Sequence, residues 1–202
     1  YEPRWFKPWP PGKHIQWKHD GKSYPLGDLL FEIGGLRVGF EICEDAWVPG
    51  RPGPELAAQG VDIILNPSAS HFAFGKHEVR KQIVIDASRS FGVTYVYTSR
   101  VGNEAGRVIY DGETLIASAG KLIAEGPRFG FDDVYLTVAT IDIDHVRMSH
   151  SRTTFTPAVD DSQRAVIHAQ VQLPFVPYTA APPSKGTVWP DPRFEKQEEF
   201  TR

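Results

Sequence analysis

The chain has 202 residues, 41% of them hydrophobic and 23% charged, with a formal net charge of −3. This size supports one compact domain with a sizeable core, and the small charge without a basic stripe predicts no nucleic-acid or membrane partner. The single cysteine, Cys43, excludes an internal disulfide and a zinc site built on several thiolates, and it fits a reducing cytoplasm.

Both ends of the chain indicate a piece of a longer polypeptide. The sequence begins at Tyr1, its only methionine is Met148, and residues 193–202 have the pattern of a helix that is just starting. No apolar run is long enough to predict a transmembrane helix or a secretory signal.

The first third of the chain predicts a loop followed by two strands. Residues 1–27 are rich in proline, which forbids a long helix, so we expect an ordered loop with a short hairpin around Asp20–Gly21. Leu29–Ile33 and Leu36–Ile42 have strand composition and are joined at Gly34–Gly35. Cys43 therefore comes directly after a predicted strand.

The middle of the chain alternates helices with strands. Pro54–Gln59 predicts a short helix, Val61–Leu65 a buried strand, His77–Phe91 a long helix and Val93–Thr98 another strand. On the long helix, the apolar stripe expected to face the core of the domain consists of Val79, Ile83, Ala87 and Phe91.

The last part of the chain predicts a meander of short strands and then a tail. The predicted strands are Arg107–Tyr110, Thr114–Ala117, Leu122–Glu125 and Val134–Asp142. Strands that alternate with helices and then form a meander indicate an α/β layered domain. We therefore predict one domain over residues 1–150 and an extended tail or linker over residues 151–202.

The position of Cys43 makes it a candidate nucleophile. Active groups in open α/β sheets lie at the carboxyl ends of strands. A reactive thiol must be partly ionised, which requires a nearby cation, a base or backbone N–H groups. A buried core cysteine is the alternative, because free cysteines are often buried for packing alone. Position alone leaves both interpretations open.

The segment from Glu41 to Trp47, Glu-Ile-Cys-Glu-Asp-Ala-Trp, resembles the nucleophile motif of the nitrilase (carbon–nitrogen hydrolase) superfamily. More narrowly, it resembles the glutaminase domain of glutamine-dependent NAD synthetases. Other segments that share this resemblance are Arg4–Phe6 with Pro8-Trp9, Asn66–Ser70 with Gly75-Lys76, Tyr110–Gly112, and Phe131–Asp133. The resemblance implies an α/β fold, a layered α-β-β-α sandwich that is incomplete at the N-terminus.

The resemblance also implies a Glu–Lys–Cys triad that hydrolyses the side-chain amide of glutamine through a thioester. Only Cys43 can be assigned here, because the family's glutamate and lysine precede Tyr1; the chain alone is therefore expected to be inactive. The backbone N–H of Glu44 is the implied oxyanion donor, and Glu2 matches a further glutamate near the site. Ser70 and Lys76 match positions that contact glutamine.

Each of these assignments has a structural alternative. Ser70 can be a turn cap and Lys76 a solvated surface lysine. The pair Glu44 and Asp45 is weak evidence for a metal site, because adjacent side chains diverge. A dyad of Cys43 with His71 is less favoured, because the flanking glycines of a nucleophile elbow are absent.

The sequence therefore predicts glutamine amide hydrolysis that supplies ammonia for ATP-dependent NAD synthesis. We expect no metal or cofactor in this chain; ATP and magnesium belong to a synthetase domain that would follow Arg202 in the same polypeptide. L-glutamine is the expected substrate, a homo-oligomer the expected assembly and the cytoplasm the expected compartment. The alternatives are a stand-alone amidase or carbamoylase of the same superfamily and a non-catalytic assembly scaffold.

Overall fold

The computed structural model describes residues 5–104, 106–152 and 164–174. The chain first forms a two-stranded antiparallel hairpin, β1 (His14–His19) and β2 (Lys22–Gly27). Asp20 and Gly21 connect the strands with positive φ angles of 48° and 71°. Two such residues form the tight turn whose twist matches a hairpin, so the predicted hairpin is confirmed.

The next two strands are β3 (Leu29–Ile33) and β4 (Leu36–Phe40), which pair antiparallel across a turn at Gly34 and Gly35. The strand predicted to reach Ile42 ends at Phe40 in the structure. Glu41 still donates its N–H to Leu65 O at 3.1 Å, but the chain then turns away from the sheet.

A seven-stranded mixed sheet forms the centre of the molecule. Its order is β10-β9-β6-β5-β4-β3-β11, with β4, β5 and β6 parallel to one another. The remaining members are β5 (Ile63–Ser68), β6 (Thr94–Ser99), β9 (Thr114–Ser118), β10 (Lys121–Glu125) and β11 (Ala165–Ala169). The strands β7 (Val101–Glu104) and β8 (Val108–Asp111) form a separate hairpin.

Two helices, α1 (Gly53–Ala58) and α2 (Lys76–Phe91), contribute to the hydrophobic core. The core combines Leu56 of α1 and Val84 of α2 with sheet residues such as Ile64 and Tyr95. The opposite face of the sheet is more open: Phe31 and Phe40 are only partly covered, and their rings meet edge to face at 5.7 Å.

The apolar stripe predicted for α2 is right at its C-terminal end, where Ala87 is buried and Phe91 packs against the core, and wrong at Val79, which is 46% exposed. At the N-terminal end the inward positions are instead His77 and Arg80. They point inward because buried carboxylates bind them, Asp111 at the end of β8 and Glu113 just before β9.

The strand predicted over Val134–Asp142 is absent, and Val134, Leu136 and Val138 are exposed. Their alternating pattern is typical of a strand, but no strand of the described chain pairs with them. The helix α3 (Ile143–Ser151) follows, and the Asp142 carboxylate accepts the N–H of His145 at 3.0 Å to cap its first turn.

The division of the chain at residue 150 stays a prediction, but one strand beyond it belongs to the main sheet. β11 pairs parallel with β3, and Arg164 donates to Asp28 Oδ1 at 2.6 Å. Among the residues that the structure describes, no helix is both long and apolar enough to cross a membrane.

Candidate active site

Cys43 begins a short 3₁₀ turn, Cys43–Trp47, three residues after Phe40 ends β4. Its φ angle is +48°, a left-handed conformation that non-glycine residues seldom adopt, and the residue is partly exposed. The turn is closed by Asp45, whose carboxylate accepts the Ile42 N–H at 2.7 Å and whose N–H donates to Ile42 O at 3.0 Å. Such strain persists only where surrounding contacts hold it, and it is common at functional sites.

A buried carboxylate lies just before the turn Cys43–Trp47, the predicted nucleophile turn. Glu41 is fully buried and accepts hydrogen bonds from Arg51 Nε at 2.9 Å, Arg51 Nη2, the Gly53 N–H at 2.7 Å and the Tyr95 hydroxyl at 2.6 Å. Because Arg51 and Gly53 follow the turn, this one carboxylate ties together both ends of the loop that carries Cys43.

Tyr95 extends this network toward residues 69–75, the loop between β5 and α2 that carries Ser70 and is the predicted substrate loop. Burial and the Glu41 carboxylate both raise the pKa of Tyr95, so its hydroxyl stays protonated and donates to Glu41. Asn66 Nδ2 donates to the same hydroxyl at 3.0 Å, and Ser68 Oγ donates to Asn66 Oδ1 at 2.7 Å. The end of β5 is thereby joined to the base of the nucleophile turn.

Ser70 lies on the loop between β5 and α2, and Lys76, the first residue of α2, lies close to the nucleophile turn. Lys76 Nζ donates to His71 O at 2.9 Å and lies 5.6 Å from the centre of the Trp47 ring. Burial and Arg80 lower the pKa of Lys76, while Asp111 and Cys43 act in the opposite direction. Ser70 is buried, and its N–H donates to Ser99 Oγ at 3.3 Å.

The other predicted site residues are less informative. Glu44 is exposed within the turn, and the proposed role of its N–H stays a prediction. Asp45 caps the turn instead of pairing with Glu44 as an acid or metal pair. Glu2 lies outside the described residues. In the part of the chain that the structure describes, no three His, Cys, Asp or Glu side chains converge as metal ligands.

The sequence did not reveal a buried ionic cluster behind the substrate loop. Arg80 Nη1 binds both oxygens of Asp111, at 3.0 and 2.9 Å, and Glu113 Oε2 at 3.1 Å. Arg128 Nε also binds Asp111, at 3.1 Å, and His77 Nδ1 contacts Glu113. The one available signal was Asp111 within Tyr110–Gly112, a segment that also reads as an ordinary turn.

Comparison with known proteins identifies the family of this chain. The model of the carbon–nitrogen hydrolase family matches residues 3–150. The chain belongs to the carbon–nitrogen hydrolase family. This membership confirms the predicted α/β fold of the nitrilase type, with its mixed sheet and helices.

Several relatives of this carbon–nitrogen hydrolase are NAD synthetases. The chain is 32% identical to a putative glutamine-dependent NAD(+) synthetase of Schizosaccharomyces pombe, over 72% of this chain and 22% of that protein. It is 34% identical to the human glutamine-dependent NAD(+) synthetase, over the same shares of the two chains. The chain thus spans about a fifth of the length of these relatives.

Solved structures agree with this assignment. A crystal structure of a glutamine-dependent NAD(+) synthetase from Cytophaga hutchinsonii is 45% identical, with a TM-score of 0.59 over 70% of this chain and 23% of that chain. A carbon–nitrogen hydrolase from Helicobacter pylori has a TM-score of 0.52 over 62% of this chain and 47% of that chain. At 20% identity, the second match supports the fold alone.

Proposed function

We propose that this chain is the glutamine-hydrolysing part of a glutamine-dependent NAD synthetase. The observation that carries the proposal is the convergence of two elements: the strained turn that presents Cys43 and the loop that presents Lys76. The matched relatives, which are named as glutamine-dependent NAD synthetases, support glutamine as the substrate.

In the proposed reaction, the Cys43 thiolate attacks the side-chain amide carbon of glutamine. The carbonyl electrons move onto oxygen, where the Glu44 N–H would donate to the oxyanion. Collapse of this intermediate breaks the C–N bond, and a proton passed from the thiol through a general base lets ammonia leave. Water then hydrolyses the γ-glutamyl thioester, which gives glutamate and restores the thiol.

The proposed base and its partner lysine are the family's glutamate and lysine, and neither is assigned to a residue of this chain. Lys76 would bind the α-carboxylate of glutamine through a charge-assisted hydrogen bond, and Ser70 would line the same pocket. Glu2 is proposed to lie near this site as well. ATP and magnesium would act only at a synthetase domain of the same polypeptide, in a cytoplasmic homo-oligomer.

Replacement of the nucleophile tests the proposal in the full-length protein. Cys43→Ala is expected to lower glutamine-driven NAD synthesis by roughly a thousandfold or more, because covalent catalysis is lost. Synthesis driven by added ammonia should stay close to that of the wild type. Both rates are measured as NAD formed from deamido-NAD and ATP.

The same experiment separates the alternatives. Loss of the ammonia-driven rate as well would mean that Cys43 has a structural role. Hydrolysis of short aliphatic amides with no preference for glutamine would instead favour a stand-alone amidase. Unchanged glutamine-driven synthesis in the variant would mean that Cys43 is not the nucleophile, and a wild-type protein without glutamine-driven synthesis would favour the assembly scaffold.

A further inference from the structure

Arg80 lies one helical turn after Lys76 in α2, and its side chain is 1% exposed. Long helical side chains point back toward the helix N-terminus, which directs this guanidinium to the loop before α2. Arg80 Nη2 donates to Ser70 O at 3.1 Å and to His71 O at 3.2 Å. His71 O also accepts from Lys76 Nζ, so two cations meet at this segment of backbone.

The carboxylates that hold Arg80 come from a different part of the fold. Asp111 ends β8, and Glu113 lies just before β9. Arg128 Nε shares Asp111 Oδ2 with Arg80, and His77 Nδ1 contacts the Glu113 oxygen that Arg80 leaves free, so two arginines face two buried acids. Arg80 therefore connects the substrate loop to the start of a core strand of the main sheet.

A guanidinium suits this position for a geometric reason. One terminal nitrogen of the side chain must reach two loop carbonyls while the other binds carboxylates. The planar guanidinium of arginine carries hydrogen-bond donors on both nitrogens, so it does both at once. The short ammonium of lysine cannot span both sets of partners. Without Arg80, the carbonyls of Ser70 and His71 would lose these buried partners, and the loop would have to find another conformation.

We propose that Arg80 is a positioning residue that holds the Ser70–Lys76 loop in the conformation that binds the substrate carboxylate. This inference rests on the proposed function, because it assigns Arg80 to the affinity for glutamine. The chemical step at Cys43 depends on a different set of contacts, those of Glu41 and Asp45, and is therefore largely independent of Arg80.

Arg80→Lys in the full-length protein tests the proposal. The KM for glutamine is expected to rise by about tenfold, because charge-assisted hydrogen bonds to the loop are lost. The kcat should change by less than about threefold, because an interaction equal in ground and transition states affects binding alone. A fall in kcat at unchanged KM would overturn the proposal.

Arg147→Lys is the matched control. Like Arg80, Arg147 binds a carboxylate and a loop carbonyl, although its side chain is 51% exposed: Nε and Nη2 bind Asp62, both at 2.9 Å, and Nη2 donates to Gly35 O at 2.7 Å. It lies away from the nucleophile turn, near the start of β4 and β5. The same substitution there should leave the KM for glutamine unchanged; an equal rise in both variants would point to general loosening of the fold and would overturn the role of Arg80.

Alkylation of Cys43 by iodoacetamide supplies a readout that does not require turnover. In Arg80→Lys the rate of alkylation without glutamine should match that of the wild type. About tenfold more glutamine should be needed to protect Cys43 by half. A faster alkylation rate with no protection by glutamine would indicate that Arg80→Lys unfolds the protein. The milder variant Glu113→Gln then tests the proposal in its place. An unchanged half-protection point in that variant would overturn the proposal, and a shift to higher glutamine would support it.

These outcomes also separate this inference from the proposed function. A wild-type protein that neither hydrolyses glutamine nor is protected by it would remove the proposed function itself. Normal glutamine hydrolysis by the wild type, together with a wild-type KM in both Arg80→Lys and Glu113→Gln, would remove only the role of Arg80.

Discussion

At the scale of single residues, the candidate site depends on charges placed where solvent is scarce. Glu41 is fully buried, yet four donors satisfy its carboxylate. Lys76 is partly buried between the Trp47 ring and the His71 carbonyl. Both groups keep defined positions because their hydrogen-bond and cation–π partners come from the folded chain itself.

The lowered pKa of Lys76 predicts a pH dependence. Burial and Arg80 favour the neutral amine, so Lys76 loses its proton at a lower pH than a free lysine does. A substrate carboxylate needs the cation, and the KM for glutamine is therefore expected to rise as the pH increases through this lowered pKa. The measurement is the KM profile on the alkaline side of neutrality.

Lys76→Arg should shift that rise to higher pH, because a guanidinium stays protonated throughout this range. Titration of the amino group of glutamine affects both proteins equally and cancels in the comparison. Lys81→Arg, on the same helix and paired with Glu125 at 3.0 Å, is the control and should keep the wild-type profile. An identical profile for Lys76→Arg would contradict a role of Lys76 in binding.

At the scale of elements, α3 is attached to the sheet by a close approach and by an ion pair. A Cβ atom at Gly92, where φ is +64°, would lie 2.6 Å from the Cα of His150. Arg147 of the same helix binds the buried carboxylate of Asp62, just before β5. The end of α2 and the start of β5 therefore both contact α3.

Gly92→Ala is expected to destabilise the protein more than a left-handed backbone alone explains. Gly21→Ala is the matched control, because its φ is +71° but nothing lies within 4 Å of the added methyl group. Gly21→Ala should lower the free energy of unfolding by about 1–2 kcal/mol because of its φ angle. Gly92→Ala should lower it by about 1–3 kcal/mol more because of the clash with backbone. Urea denaturation measures both; equal losses would mean that α3 moves aside freely.

At the scale of the whole molecule, the sequence pattern predicted those features that depend on residues close together in the chain. The β1–β2 hairpin, the β3–β4 pair and the length of α2 follow from turn residues and periodicity close in sequence. The strand β11 and the inward face of α2 did not, because both depend on partners far along the chain. Arg80 and Asp111 are 31 residues apart, and a charged helical residue normally predicts a solvated surface.

The same limit applies to the candidate site. The motif around Cys43 made it the candidate nucleophile, and the resemblance indicated Ser70 and Lys76; these roles stay predictions. The bonds of Glu41 to Arg51 and Tyr95 were not predicted, because they join residues 10 and 54 positions apart. Only the three-dimensional arrangement shows that the nucleophile turn and the substrate loop have separate supports.

The isolated 202-residue chain is expected to show no glutaminase activity. In the proposed function no residue of this chain is assigned as the general base, so the Cys43 thiol would have no base to activate it. Ammonia release from glutamine measures this directly, with the full-length protein as the positive control. Turnover by the purified chain at more than about a hundredth of the full-length rate would show that the base lies within these residues.

The pairing of β11 with β3 has a consequence for folding during synthesis. Arg164 and Asp28, which bond beside this pair, are 136 residues apart in sequence. The edge of β3 therefore stays open on the ribosome until the segment from Arg164 onward has been made, and pairing over such a separation is slow. During that interval the unpaired edge of β3 is open to pairing with a strand of another chain, which is a route to aggregation.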